Sequence, residues 1–300
     1  RRAADAVAKL KPMPSLATST RRTLEMIKFE HSIFALPFAL LGAMLAAGGW
    51  PAAWQLLWII VAMIAARSVA MTFNRIVDRD VDAANPRTRN RALVTGALSL
   101  PFAWGFLAVA AAVFELAAWR LNHLTLLLSP LALAWVMCYS WTKRFTALSH
   151  WVLGAALGIA PAAAWIAVRG SLAPVILLLA AAVTLWVAGF DVLYACQDYA
   201  FDRSQPGLHS TPKRLGIGRS LQLAAVCHLA MLLLLAWLLE ASHLGAIGWT
   251  GLALVAALVA YEHSLVKADD LSRLNAAFFT VNGYIGVLLL VSWGTAILVK

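Results

Sequence analysis

Long runs of apolar residues, separated by short charged or Gly- and Pro-containing breaks, fill the chain from about residue 30 onward. A helix needs about 20 residues to cross roughly 30 Å of hydrocarbon at about 1.5 Å per residue. We count nine runs of suitable length, at 30–48, 54–75, 101–119, 123–141, 148–168, 174–195, 219–239, 245–263 and 276–298. The pattern therefore predicts an all-α integral membrane protein with nine transmembrane helices.

The composition agrees with a membrane protein and indicates one boundary. Hydrophobic residues make up 62% of the 300 residues, 13% are charged, and the mean hydropathy is +0.79, which excludes an ordinary soluble globule. We predict a basic N-terminal tail over 1–28 and a single nine-helix transmembrane domain over 29–300. A cytoplasmic juxtamembrane segment is the preferred interpretation of the tail, with an organellar presequence as the alternative.

The net charge of +10 by itself would suit a nucleic-acid partner, but the positions of the basic residues favour a lipid bilayer. Most of the 24 Lys and Arg residues lie in the tail and in the loops after spans two, four, six and eight. The opposite side has Arg120, Arg169 and Lys300. Because cytoplasmic loops are enriched in Lys and Arg, the N-terminus and these even-numbered loops are predicted to be cytoplasmic. No nucleic acid is expected.

An acidic motif, N-R-I-V-D-R-D-V-D, ends the second span. Asn74, Asp78 and Asp82 recur every four residues, close to the helical period, so their side chains should lie on one helix face. Carboxylates on one face repel each other and are costly near a bilayer unless a positive charge lies against them. The motif therefore predicts a divalent metal site.

The same spacing returns 120 residues later, at the end of span six, in Tyr194, Asp198 and Asp202. This repeat predicts an internal duplication. Each motif leads into a basic loop that would face the cytoplasm. The basic residues of these loops are Arg87, Arg89 and Arg91 after the first motif and Lys213 and Arg214 after the second. Oxygen ligands hold Mg²⁺ and cations bind phosphate oxygens, so the two motifs predict a site for a metal-bound polyphosphate.

Two ionisable residues are predicted to lie about two turns inside the membrane, one behind each motif. Arg67 precedes Asn74 by seven residues, and Asp191 precedes Asp198 by seven. A charge in hydrocarbon is costly unless it is paired, so the two residues either form an ion pair or bind substrate. As substrate ligands, Arg67 would clamp a carboxylate with its planar fork, and Asp191 would hold or deprotonate a hydroxyl.

These motifs resemble those of the UbiA-type membrane prenyltransferases, which attach isoprenoid chains to aromatic rings. The family's N-x-x-x-D-x-x-x-D motif falls on residues 74–82, and its D-x-x-Y-x-x-x-D-x-x-x-D motif falls on 191–202. The resemblance continues through 85–96, 207–216 and 261–266, so it covers most of the chain.

Within this superfamily, E-H-S-I-F-A-L-P at 30–37 and F-D-V-L-Y-A-C-Q-D at 190–198 look most like 4-hydroxybenzoate polyprenyltransferases. The resemblance implies Mg-dependent transfer of a polyprenyl chain from polyprenyl diphosphate to an aromatic carboxylic acid, 4-hydroxybenzoate or a related hydroxynaphthoate, in ubiquinone or menaquinone biosynthesis. It places the enzyme in the bacterial inner membrane, with the active-site mouth facing the cytoplasm. One alternative is a haem farnesyltransferase-like enzyme. Another is a divalent-cation transporter, which would need its carboxylates at the bilayer midplane.

The family also implies a helix bundle around a central cavity, two Mg²⁺ ions bridging the motifs to the diphosphate, and a lateral opening to lipid. By motif, Arg67 corresponds to the arginine for the benzoate carboxylate, and Tyr139 and Lys143 to a pair near the diphosphate. The implied metal ligands are Asn74, Asp78, Asp82, Asp198 and Asp202. The implied diphosphate ligands are Lys28, Arg89, Arg91, Tyr139, Lys143, Lys213 and Arg214. The aromatic acid would meet Arg67, Asp191 and Tyr194, with Arg67 and Asp191 as catalytic residues.

Overall fold

The computed structural model describes residues 16–27 and 34–300. Every regular element in these residues is helical, as predicted. The α-helices are α1 Leu16–Ile27, α2 Leu36–Ala47, α3 Ala53–Val77, α4 Arg79–Ala84, α5 Leu100–Leu121, α6 His123–Thr142, α7 Ser149–Arg169, α8 Pro174–Ala195, α9 Tyr199–Ser204, α10 Thr211–Leu215, α11 Ile217–Ala241, α12 Gly245–Ser264 and α13 Asn282–Leu298. A 3₁₀ turn, Cys196–Asp198, follows α8, and a π-helical segment, Ala276–Val281, precedes α13.

Eight helices in the described residues are long and apolar enough to cross a membrane. They are α3, α5, α6, α7, α8 with its continuation to Ser204, α11, α12 and the segment Phe279–Leu298. Each coincides with one of the last eight predicted spans. The first predicted span, 30–48, lies partly outside the described residues, and its described part contains the shorter apolar helix α2. The count of nine therefore stays a prediction.

Polar caps set the ends of helices in the first half of the bundle. Ser99 caps α5, where its side chain accepts a hydrogen bond from Phe102 N–H. The Asn122 side chain caps α6 by accepting from Thr125 N–H at 2.9 Å, and its amide donates to Ile166 O of α7 at 2.8 Å. Asn122 therefore begins α6 and also ties the α5–α6 connection to α7.

Glycines let α7 approach the backbone of α8. A Cβ atom at Gly154 would lie 2.3 Å from Thr184 O, and one at Gly158 would lie 2.5 Å from Ala180 O. Small residues at such crossings allow membrane helices to pack closely. This contact fixes α7 against α8, which carries the second acidic motif at its end.

Gly154→Ala is expected to destabilise the folded protein by about 1–3 kcal/mol, because the added methyl group overlaps the α8 backbone. Gly105→Ala is the matched control, since Gly105 is exposed on α5 and no neighbouring element lies within 4 Å of its Cβ position. Thermal unfolding of both variants in the same detergent measures the difference. Equal stability of the two variants would contradict the close α7–α8 contact.

The bundle has a densely packed half and an open half. In the packed half, α2, α8, α11, α12 and α13 meet around the buried side chains of Trp186 and Trp293. In the open half, α3, α5, α6 and α7 surround an apolar cavity of about 210 Å³. Its lining on α7 extends from Leu153 to Ala167, which corresponds to roughly 20 Å along the helix axis. The structure therefore contains a cavity, as the family resemblance implied, and this cavity lies beside α3, the helix that ends in the first motif.

The repeat of the acidic motif extends to the backbone. α3 ends at Val77, and Asp78 has φ −88° and ψ 6°. Asp198 has nearly the same angles, φ −91° and ψ 5°, and each of the two residues is followed by a short helix of 6 residues, α4 or α9. The two motifs thus share their local backbone conformation, and the internal duplication of the whole fold stays a prediction. The spacing suggested that one continuous helix carries Asn74, Asp78 and Asp82. The structure differs, because the chain turns at the middle residue of each motif, Asp78 or Asp198.

Candidate functional site

The loop that follows the first acidic motif contacts the second motif directly. Asn85 Nδ2 donates to Asp198 Oδ1 at 3.3 Å. Arg87 donates from Nε to Oδ1 of the same carboxylate at 3.0 Å and from Nη2 to Oδ2 at 2.6 Å, which makes a bidentate pair. Burial alone would lower the pKa of Arg87, but the hydrogen bonds and charge of Asp198 outweigh it, so this pKa lies above its usual value. Arg87 therefore joins the two motifs as a permanent cation.

The turn between α6 and α7 supplies one cation to each motif. Lys143 Nζ lies 3.0 Å from Asp202 Oδ1. The next residue, Arg144, donates to Val77 O at 2.7 Å and lies 3.4 Å from Asp78 Oδ1. Two adjacent side chains thus bridge the two halves of the site.

Within the first motif, hydrogen bonds connect the amide and carboxylate side chains to further cations. Arg91 Nη1 lies 2.6 Å from both carboxylate oxygens of Asp82. Asn74 Nδ2 donates to Asp78 Oδ2 at 2.8 Å, and Asn74 Oδ1 accepts from Arg75 at 2.9 Å. The structure therefore brings together the five residues predicted as metal ligands, with each of their four carboxylates beside a different Arg or Lys.

Two of the four carboxylates, Asp78 and Asp202, are incompletely compensated by these partners. Burial raises the pKa of Asp78, the charge of nearby Asp82 raises it further, and Arg144 offsets only part of this effect. Asp202 is fully buried, and within the described residues neither of its oxygens has a hydrogen bond, because Lys143 approaches without hydrogen-bond geometry. Such carboxylates suit an additional bound cation. In the part of the chain that is described, no three His, Cys, Asp or Glu side chains already have the arrangement of metal ligands.

Asp191 lies behind the second motif on α8, as predicted, and its partner is a histidine. Asp191 Oδ2 lies 2.6 Å from Nδ1 of His150, the second residue of α7. Among the described contacts, the partner of Asp191 is His150, and an ion pair between Asp191 and Arg67 stays a prediction. The close packing of α7 on α8 brings His150 to the aspartate.

Arg67 lies on the cavity side of α3. It lines the apolar cavity together with Tyr139 of α6. Seven residues, or about 10 Å of helix, separate Arg67 from Asn74. Arg67 and Tyr139 therefore form a polar end to a cavity whose remaining wall is largely Ala, Leu, Ile and Met.

Tyr194 lies beneath the cation that joins the motifs. The guanidinium carbon of Arg87 is 5.7 Å from the centroid of the Tyr194 ring, a distance suited to a cation–π contact. The ring of Phe279 packs edge-on against the Tyr194 ring, with 5.9 Å between the ring centroids. Tyr194 thus contacts both Arg87 and Phe279.

The other predicted diphosphate ligands occupy outer positions. Lys213 Nζ donates to Gln205 O and to Leu208 O, both at 2.7 Å, so Lys213 fixes the loop after the second motif. Arg89 and Arg214 are exposed. Lys28 lies outside the described residues.

Four residues with contacts in the site were not predicted for it: Arg75, Asn85, Arg144 and His150. A sequence signal existed for the first three, because Arg75 is inside the first motif, Asn85 follows it, and Arg144 is adjacent to Lys143. His150 has no such signal. Its role depends on the contact between two helices rather than on spacing within one.

Comparison with known sequences gives consistent matches. Residues 35–284 match the UbiA prenyltransferase family. The chain is 35% identical over 240 residues to a 4-hydroxybenzoate octaprenyltransferase of Cupriavidus necator, covering 78% of this chain and 81% of the relative. It is 33% identical over 286 residues to a protein of the same name from Ralstonia nicotianae, covering 93% and 94% of the two chains.

Solved structures show the same fold. The apo structure of a UbiA homologue from Aeropyrum pernix K1 superimposes with a TM-score of 0.80 at 36% sequence identity, covering 88% of this chain and 96% of that one. A UbiA homologue from Archaeoglobus fulgidus bound to GPP and Mg²⁺ superimposes with a TM-score of 0.72 at 21% identity, covering 93% and 100% of the two chains. At this identity, the second likeness concerns the fold alone.

Proposed function

Because the chain belongs to the UbiA prenyltransferase family, we propose that it transfers a polyprenyl chain from polyprenyl diphosphate to the ring of an aromatic carboxylic acid. The acceptor is 4-hydroxybenzoate or a related hydroxynaphthoate, and the product enters ubiquinone or menaquinone biosynthesis. The name shared by the Cupriavidus and Ralstonia relatives supports this acceptor class. The observation that carries the proposal is the set of four motif carboxylates, each beside a cation, next to a long apolar cavity.

The motif side chains fit a diphosphate with Mg²⁺. Asp78, Asp82, Asp198 and Asp202, together with Asn74, would hold the metal through oxygen atoms, which Mg²⁺ prefers. The repulsion between Asp78 and Asp82 supports this assignment, and so does buried Asp202, whose oxygens have no hydrogen bond in the part of the chain that is described. When bound, Mg²⁺ neutralises the negative charge that grows on the diphosphate as it leaves the allylic carbon.

The cations beside the motifs then act on the diphosphate itself. Arg87, Arg91, Lys143 and Arg144 exchange their carboxylate partners for anionic diphosphate oxygens, which accept charge-assisted hydrogen bonds equally well. Their positive charge stabilises the leaving group in the transition state. Tyr139 lies four residues before Lys143, and its hydroxyl donates a hydrogen bond to the diphosphate from the cavity side. The outer residues Arg89, Lys213 and Arg214, and also Lys28, have the weaker role of attracting the anion and shaping its entrance.

The aromatic acid binds deeper than the diphosphate. Arg67 provides a planar fork for its carboxylate, and Asp191 and Tyr194 approach the ring from α8. Holding the ring beside the allylic carbon supplies the proximity that the carbon–carbon bond requires. Arg67 and Asp191 are therefore the residues that we assign to acceptor activation.

The apolar cavity between α3 and α7 receives the prenyl chain. Its lining is rich in alanine, so it offers space and no hydrogen-bonding groups along most of its length. A hydrocarbon tail is stabilised there by removal from water, at roughly 25 cal/mol per Å² of apolar surface. Chain length should therefore depend on side-chain size at the far end of the cavity.

Ala163→Phe is expected to lower kcat/KM for an octaprenyl donor by roughly tenfold and to leave geranyl diphosphate almost unaffected, since the ring fills cavity space beyond a short chain. Ala163 lines the cavity on α7. Ala112→Phe is the control, because Ala112 is exposed on α5 outside this lining. Competition between the two donors in one reaction measures the ratio. If Ala163→Phe left the ratio of octaprenyl to geranyl transfer unchanged, the prenyl chain would not occupy this cavity.

The two alternative functions fit the site less well. A divalent-cation transporter needs carboxylates near the bilayer midplane, whereas these carboxylates lie at helix ends beside basic loops. A haem farnesyltransferase-like enzyme shares the donor chemistry and differs in the acceptor. The names of the relatives at 33–35% identity favour the aromatic acid.

An assay with purified protein in lipid nanodiscs tests the proposal. Labelled polyprenyl diphosphate is supplied with 4-hydroxybenzoate, 1,4-dihydroxy-2-naphthoate, benzoate or haem, and products are separated by chromatography. We expect prenylation of a hydroxylated aromatic acid and none of benzoate, whose ring lacks the activating hydroxyl. Transfer to haem alone, or to none of these acceptors, would contradict the proposed function.

The protein is an integral membrane prenyltransferase, and its orientation is a prediction of the charge distribution. In a variant lacking Cys138, Cys196 and Cys227, a membrane-impermeant thiol reagent added outside cells should label a cysteine placed beside Arg120. It should not label one placed beside Lys213. Cell lysis should make both accessible, and the reverse labelling pattern before lysis would overturn a cytoplasmic active-site mouth.

A further inference from the structure

A buried histidine lies between α8 and the loop that follows the second motif. His150 is 4% exposed. Its Nδ1 lies 2.6 Å from Asp191 Oδ2, and its Nε2 accepts a hydrogen bond from the backbone N–H of Thr211 at 3.4 Å. The metal and diphosphate roles proposed above leave this residue unused.

The contact with Thr211 determines which ring nitrogen of His150 carries the proton. A backbone N–H only donates, so Nε2 is the acceptor and Nδ1 carries the hydrogen of a neutral imidazole. That hydrogen is then donated to Asp191 Oδ2. The hydroxyl of Thr211 also donates to Ala147 O at 2.9 Å, which keeps the loop in place against α7. Asp191 therefore has a donor of fixed direction on one oxygen.

The two side chains differ in how much of their surface is exposed. The His150 side chain is 5% exposed, whereas that of Asp191 is 23% exposed. The aspartate is thus accessible to a substrate, and the histidine supports it from behind. An arrangement in which the imidazole itself meets the substrate does not fit these values.

We propose that His150 is a positioning residue that holds the Asp191 carboxylate toward the hydroxyl of the aromatic acceptor. The inference rests on the proposed function. Its chemical basis is the loss of the acceptor's proton during transfer, for which a carboxylate at a fixed angle is an effective general base. His150 does not touch the reacting atoms and acts through Asp191.

The proton and electron balance of the step is simple. The bond between C1 of the prenyl chain and oxygen breaks, and its electron pair leaves with the diphosphate while a ring carbon forms the new carbon–carbon bond. Asp191 accepts the hydroxyl proton during this attack. The substituted ring carbon then loses its hydrogen to water as a proton, and Asp191 returns its proton to the ring oxygen, so the phenol is restored and each turnover releases one proton.

Two amide substitutions separate the two contacts of His150. In His150→Asn, the short side chain places its amide nitrogen near the position of Nδ1, so the donor to Asp191 is kept. In His150→Gln, the longer side chain places its amide near Nε2, so the contact with Thr211 is kept and the donor to Asp191 is lost. His150→Ala removes both. His123→Ala serves as the control, because His123 is exposed at the opposite end of the bundle.

We expect kcat with 4-hydroxybenzoate to fall roughly 10- to 100-fold in His150→Ala and His150→Gln, as for other residues that orient an active group. His150→Asn should recover most of the rate. The KM for the prenyl diphosphate should stay within about twofold of wild type in all three, because the contact lies outside the diphosphate site. Adding His150→Ala to Asp191→Asn should cost nothing further, since the two residues act as one unit.

Two results would overturn the proposal. One is equal activity of the Asn and Gln variants. A histidine with only a structural role would not make His150→Asn more active than His150→Gln. This comparison holds whether or not His150→Ala folds. The other is an independent, multiplicative loss in the double variant. The wild-type reaction with 4-hydroxybenzoate is measured first. If wild type transfers to no aromatic acid, the proposed function fails, whereas wild-type transfer with equal Asn and Gln variants refutes only the role of His150.

Discussion

Asp198→Ala is expected to abolish prenyl transfer, with a loss of at least a thousandfold, while the protein remains folded in the membrane. The substitution removes a proposed metal ligand and also frees Arg87, whose bidentate pair with Asp198 joins the two motifs. Without that carboxylate, the charge that develops on the leaving diphosphate loses much of its stabilisation, and such electrostatic effects account for large rate factors. Asp78→Ala, Asp82→Ala and Asp202→Ala should behave alike.

Asp80→Ala is the matched control for these variants. Asp80 lies in the same short helix, α4, as Asp82, but it is exposed. Initial rates and thermal unfolding of each variant separate a loss of chemistry from a loss of fold. EDTA added to wild type should reproduce the loss, and excess Mg²⁺ should restore activity. An active Asp198→Ala variant, or full wild-type turnover in EDTA, would contradict the assignment.

Arg67→Lys is expected to raise the KM for the aromatic acid by roughly ten- to a hundredfold, because a point-charge ammonium replaces a bidentate fork. Loss of one charge-assisted hydrogen bond costs about 1.5–3 kcal/mol, which corresponds to this range of affinity. The KM for the prenyl diphosphate should change little, since Arg67 lies about 10 Å along α3 from the first motif. Steady-state kinetics with each substrate varied separately measure the two constants.

Arg120→Lys is the control for this substitution. Arg120 lies in the last turn of α5. Its guanidinium carbon is 5.4 Å from the centroid of the Trp58 ring. A change there should leave both KM values near those of wild type. The carboxylate clamp would be refuted by an unchanged aromatic KM in Arg67→Lys, and also by a loss confined to the diphosphate.

The helices could be predicted because their signal is local. An apolar run of about 20 residues defines a span whatever it packs against, and the described helices fall where those runs lie. The two acidic motifs were found in the same way, through a four-residue spacing and its repetition. Helical spacing did not report the turn at Asp78 and Asp198, since a change of ψ at one residue leaves no trace in the hydrophobic pattern.

The partners inside the site could not be predicted, because they depend on packing between distant segments. Arg87 and Asp198 are 111 residues apart in sequence, and His150 and Asp191 are 41 apart. The sequence around any one of these four residues does not specify its partner. The pairing of Asp191 follows from the approach of α7 to α8 at Gly154, a contact that the Gly-rich spacing permits without specifying the register.

The most direct test of the central claim is the equilibrium binding of a non-cleavable prenyl thiodiphosphate to the protein in nanodiscs, measured by titration calorimetry with Mg²⁺ and with EDTA. If the two motifs hold the diphosphate through metal, the affinity should fall by roughly a hundredfold or more in EDTA, and equally in Asp202→Ala with Mg²⁺ present. Asp80→Ala should bind as wild type does. Equal affinity of wild type in Mg²⁺ and in EDTA would contradict the account.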